Sequence, residues 1–129
     1  MTSNQEQEIT AIDIQIIVSL VSIITILISI SLLYNQKLDI KNQKTIFTAK
    51  ETQKISEFNR DILLVIALIF LFVNIWLYNI SKEEGENTES YKLQIVASIL
   101  TVIAALIALY VVRNPSDRGE IVDVENPII

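Results

Sequence analysis

The sequence predicts an all-α integral membrane protein with three transmembrane helices. Helices 1 and 3 are expected to be parallel and packed, and helices 1 and 2 to run past the membrane as a helical hairpin. Three observations carry this prediction. The apolar residues, 51% of a 129-residue chain, are gathered into three blocks at 11–34, 62–80 and 93–112. At about 1.5 Å rise per residue, each block covers the roughly 30 Å hydrocarbon core of a bilayer. Within the blocks Asp13 is the only Lys, Arg, Asp or Glu, and it lies near one end. The blocks are also apolar nearly all round, whereas helices of a small soluble bundle keep one polar face each.

The elements follow in order. Residues 1–9 form a polar N-terminal segment, "MTSNQEQEI", which is acidic where a secretory leader would be basic, and no small-residue cleavage site follows the first block. The first span is therefore expected to be retained. The next segment, 35–61, is rich in Lys, with no Gly or Pro to stop a helix. Thr48 and Glu51 have capping-box spacing, in which the Thr side chain accepts the third residue's N–H while Glu accepts from the Thr backbone. That spacing predicts a new helix at Thr48 and a hairpin turning near 42–47. The connection 81–92, with Gly85 and Asn87 among Glu83, Glu84, Glu86 and Glu89, reads as an acidic turn between antiparallel helices. The tail 113–129 has two Pro, a Gly and no helical period, so it reads as flexible. The three-helix transmembrane domain is thus 10–112.

Basic residues set the expected orientation. Lys37, Lys41, Lys44, Lys50, Lys54 and Arg60, with Arg113 and Arg118, lie on one side, against Lys82 and Lys92 on the other. The N-terminus is predicted outside, and the basic loop and C-terminus on the cytosolic side. Trp76, Tyr78 and Tyr91 suit the outer interface, Tyr34 and Tyr110 the inner one.

Two spans repeat one polar pattern, "IQIIVSLVS" at 14–22 and "LQIVASILT" at 93–101, seventy-nine positions apart. At 100° per residue, Gln15, Ser19, Ser22, Thr25 and Ser29 fall within an arc of about 120°. Gln94, Ser98, Thr101, Ala105 and Ala108 fall in a similar arc of the third span, together with Ala97 and Ala104. Small and hydroxyl side chains let membrane helices approach and hydrogen-bond, so the two stripes are expected to face each other. Parallel spans would put Gln15 level with Gln94 and Ser19 level with Ser98. Asp13 and Lys92 would then form an interfacial ion pair. In the second span Arg60, Ala67, Asn74 and Tyr78 share a face, and Asn74 reads as an interhelical hydrogen-bonding residue.

The composition bounds the chemistry. There is no Cys and no His, so the usual metal and haem ligand sets, the Ser-His and Cys-His nucleophiles and any disulfide are excluded. No carboxylate lies deep in a span, and the two glycines do not form a phosphate loop. No catalytic residue, cofactor, metal or small-molecule substrate is predicted. The chain is acidic, with net charge −5, and nucleic acid is not an expected partner. The expected partners are the lipid bilayer and either a second copy or a larger protein complex. Lys37, Lys41, Lys44, Phe47 and Ile55 are the candidate contacts to partner or headgroups. Twenty-five Ile residues, with frequent Asn and Lys, indicate an AT-rich coding genome, which fits a viral or phage membrane component among other sources. The function expected is structural or scaffolding. A holin-like or small pore-forming oligomer, and an accessory subunit of a transporter or secretion machine, are the alternatives.

Overall fold

The computed structural model describes residues 2–114, and the predicted tail beyond Asn114 lies outside the described residues. The fold is all-helical, with α1 at Ser3–Ile40, α2 at Ala49–Glu83 and α3 at Glu89–Arg113. Each helix is long and apolar enough to cross a membrane. Helix α1 starts well before the predicted span, inside the polar segment 1–9. The reason is a capping box: Thr2 accepts from Gln5 N–H while the Gln5 side chain accepts from Thr2. The Thr48–Glu51 spacing forms a second capping box, which starts α2. Between these helices the chain turns at Asn42, which takes the left-handed backbone, φ 57°, a conformation Asn tolerates better than most residues. Gly85, φ 72°, does the same in the acidic turn.

The three helices are unequal. At about 1.5 Å per residue, α1 and α2 measure roughly 57 and 52 Å, and α3 only about 37 Å. Both long helices therefore continue beyond α3 at the basic end.

Packing follows a seven-residue repeat. Buried positions on α1 include Ala11, Val18, Thr25 and Leu32; on α3 they include Ser98, Ala105 and Val112. Helix α2 carries two adjacent series, Asn59, Ile66, Val73, Ile80 and Arg60, Ala67, Asn74, Ser81, all buried. One meets α1, through Asn59 with Ser29 and Val73 with Ala11. The other meets α3, through Asn74 with Ser98. A seven-residue period keeps two helices in contact with a slight left-handed coil, at crossings near 20°.

The central helix is therefore α2, which packs on both neighbours, while α1 and α3 share no comparable interface. They do run in the same direction, each antiparallel to α2. The expected packing of helices 1 and 3 is thus corrected, and so is their register. Asn74 sits between Val73 and Leu77, which pack on Ala11, so Ser98 stands level with Ala11. That is displaced from Ser19 by two turns, about 12 Å.

The physical reason lies in the hydroxyls. Ser22 donates to Val18 O, Thr25 to Ser22 O, Ser98 to Gln94 O and Thr101 to Ala97 O. With their hydrogens committed to their own helices, these four hydroxyls offer a neighbouring helix only acceptors. The donors they need are the carboxamides of α2.

This arrangement predicts the outcome of paired cysteine substitutions in a chain that has no natural cysteine. Ala11→Cys with Val73→Cys closes an intrachain disulfide in vesicles under mild oxidation. Ser19→Cys with Ser98→Cys does not, as read by gel mobility with and without reductant.

Candidate functional site: the polar joints and the basic-side hairpin

Three asparagines organise the molecule. Asn59 is completely buried, and its amide donates to Thr25 O at 3.3 Å and Ser29 Oγ at 3.0 Å, joining α2 to α1. Asn74, 8% exposed, donates to Ser98 Oγ at 2.6 Å and joins α2 to α3. Asn35 lies near the end of α1 and grips the hairpin turn. Its Oδ1 accepts from Ile46 N and Phe47 N, each at 2.8 Å, and its Nδ2 donates to Phe47 O and Thr52 Oγ1. Asn35 satisfies two backbone N–H groups of the turn, while Asn59 and Asn74 supply hydrogen bonds between helices.

Helix α3 is secured at the basic end by α2. Gln53 Nε2 donates to Val112 O at 2.6 Å, one of the carbonyls a helix C-terminus leaves without an internal partner. Arg113 forms a two-pronged ion pair with Asp61, 2.8 and 3.0 Å, with both side chains about half exposed. Exposed pairs of this kind add about 0–1 kcal/mol. Arg60 is buried beside Asn59.

The residues expected from sequence divide as follows. Thr25 and Ser29 are buried against α2. Gln15 and Ser22 are half-buried and Ser19 is exposed, so this end of the stripe rotates away from the seam. Asn74, Ser98, Ala105 and Ala108 are buried together at the α2/α3 boundary. Gln94 and Thr101 are exposed beside them. Asp13 and Lys92 are both exposed, and among the described residues they form no ion pair. This follows from the shifted register. At the hairpin, Lys37, Lys41 and Lys44 are exposed, and Phe47 and Ile55 half-buried. Asn35 and Asn59 were not among the expected site residues, because both lie in the Lys-rich segment outside the apolar blocks. Their signal was the periodicity. Asn59 stands seven before Ile66 and fourteen before Val73, continuing the buried face beyond the span.

A groove of about 630 Å³ runs along the α2/α3 boundary, lined by Ile66, Ala67 and Phe70 of α2 and by Ala97, Thr101 and Ala104 of α3. Asn74 and Ser98 lie at one end of it. Among the described residues no three His, Cys, Asp or Glu side chains are grouped as metal ligands. Two carboxylates outside the spans are perturbed in opposite directions. The backbone and hydroxyl of Thr48 hold Glu51 below the usual carboxylate range. A hydrogen bond to Glu84, then the charges of Glu84 and Glu8, raise Glu86.

These features define a multi-pass membrane protein of three helices, joined by carboxamides of α2. No protein-family model, curated protein or solved structure matches the chain.

Two outcomes follow. Asn35→Ala leaves the N–H groups of Ile46 and Phe47 without their acceptor. It lowers stability by about 1–3 kcal/mol and accelerates hydrogen exchange at those amides, with little change at Ala105. Acidification acts oppositely at the two ends. Glu51 is depressed, so the stability it gives the α2 cap holds above its unfolded pKa and is lost as pH falls through its folded value. Glu86 is raised, so its turn is favoured below the unfolded pKa and loses that support as pH rises through the folded one. Amide exchange at Glu51 and at Glu86, followed against pH, checks both signs.

Proposed function

We propose that this chain is a structural membrane protein that assembles with itself or with a larger membrane complex, presenting its hairpin as a rigid contact surface. The observation that carries this reading is the latch at Asn35. Four hydrogen bonds from one side chain hold the turn between two helices that extend past the end of α3. Around that fixed turn large apolar side chains stand exposed, Ile40 at 73% and Ile46 at 60%. Lipid can cover exposed apolar residues inside a span. Beyond it, an ordered turn carrying such residues beside Lys37, Lys41 and Lys44 fits a protein partner. On the basic-residue rule the hairpin and the C-terminus lie on the cytosolic side and the N-terminus outside. The polar groups of the spans support the same reading, since the hydroxyls of Ser22 and Thr101 are turned onto their own helices rather than toward a shared path.

Gentle-detergent purification from the native source, followed by identification of what accompanies the chain, tests this proposal. A discrete assembly is expected, and Ile40→Ser together with Ile46→Ser should strip the partner bound there while α2 and α3 stay folded. Liposomes containing only this protein should pass neither ions nor dye. Flux that is lost on replacing Ser22 and Thr101 by Leu would overturn the structural reading in favour of a pore.

A further inference from the structure

The α2/α3 groove holds a buried acceptor that the internal packing does not use. Asn74 is more than nine-tenths buried and lines the groove. Its amide donates to Ser98, but among the described residues its Oδ1 accepts nothing. This oxygen differs from the buried Oδ1 of Asn59, which is sealed from any outside group. A lipid tail in the groove would leave the Asn74 oxygen unsatisfied in hydrocarbon, a cost of about 1–3 kcal/mol. An occupant that fits must bring a donor to the depth of Asn74.

The chain carries such a donor one helical turn, about 6 Å, from that depth. Gln94 is one turn from Ser98, the residue that Asn74 contacts. Its carboxamide is exposed at the groove and makes no hydrogen bond among the described residues. A two-fold axis along the membrane normal relates identical residues at identical depth, and the contact it creates uses the same patch on both copies. Next to Gln94, the small side chains Ala97, Thr101 and Ala104 allow two α3 backbones to approach closely, at the four- and seven-residue spacings of membrane helix contacts. Ile99, Ile103 and Leu106, exposed elsewhere on α3, give it a bulky lipid-facing side.

We propose that the groove is the interface with a second copy of this chain in the same membrane orientation. In it, α3 packs on α3 and the Gln94 carboxamide of each copy donates to Asn74 Oδ1 of the other. The inference deepens the assembly reading above and rests on it.

The test uses the full chain in vesicles, with single cysteines. Ala97→Cys and Ala104→Cys should give disulfide-linked dimers, and Ile99→Cys and Ile103→Cys should not. Ala104→Leu fills the groove from a solvent- or lipid-accessible position and should abolish dimer formation, while helix content and the unfolding temperature of the monomer are retained. Gln94→Leu removes the two equivalent hydrogen bonds and should weaken association by about tenfold. Because it leaves the Asn74–Ser98 bond intact, its effect is separable from misfolding. Cross-linking through Ile17 or Ile24 of α1 instead, or capture of a different protein by Ala97→Cys, overturns the groove proposal and leaves the assembly reading standing. A chain that is monomeric at every protein-to-lipid ratio overturns the groove proposal, and if native purification also yields no partner, the assembly reading falls with it.

Discussion

The structure depends on a mismatch between hydroxyl and carboxamide groups along the seams between its helices. A serine or threonine in a helix can return its single hydrogen to a carbonyl three or four residues back, which leaves its oxygen as an acceptor. Ser98 does this to Gln94 O. An asparagine amide has two hydrogens to give. Helix α2 places one such amide against each neighbour, Asn59 toward Thr25 and Ser29, and Asn74 toward Ser98. Since lipid tails are as apolar as leucine, burying apolar area alone does not select a partner helix in a membrane. The few donor-to-acceptor contacts do, and they make α2 the centre.

From that centre the rest of the architecture follows. Two series at seven-residue spacing on α2 receive α1 and α3 on adjacent faces, and short connections make each neighbour antiparallel to it. Because α3 is shorter, the basic end of the molecule consists of α1 and α2 alone. There the packing problem changes from lipid to water, and side chains take over the fastening. Asn35 holds the turn, Gln53 caps the last turn of α3, and Asp61 with Arg113 closes the outside. The same residues that terminate the bundle thus create a projecting element of defined shape, which is what a contact surface requires.

Much of this was legible before any coordinates. The three spans, the start of α2 at Thr48 and the turn around Asn42 come from local properties of the chain, namely length, capping geometry and backbone preference. The small and hydroxyl stripes were legible too, but not the surface that each meets: Thr25, Ser29, Ser98, Ala105 and Ala108 are buried, with Ser29 and Ser98 bonded to α2 and not facing each other. Asn35 and Asn59 were hidden, because both lie in the Lys-rich hairpin outside the apolar blocks, where composition marks no buried face. Only the seven-residue series running back from Val73 through Ile66 shows that Asn59 still belongs to the core.

The sequence by itself therefore determined the character of each helix: its apolar span, its polar stripe and, for α2, its cap. Only the tertiary structure decided which stripe meets which, setting Ser98 level with Ala11 rather than Ser19 and leaving Asp13 and Lys92 apart. The reason is physical. A helix is defined by interactions within a few residues, whereas the choice among helix pairs that bury similar apolar surface rests on a handful of hydrogen bonds. Those bonds depend on where the hydroxyl hydrogens already point, and that is fixed only once the helices have formed.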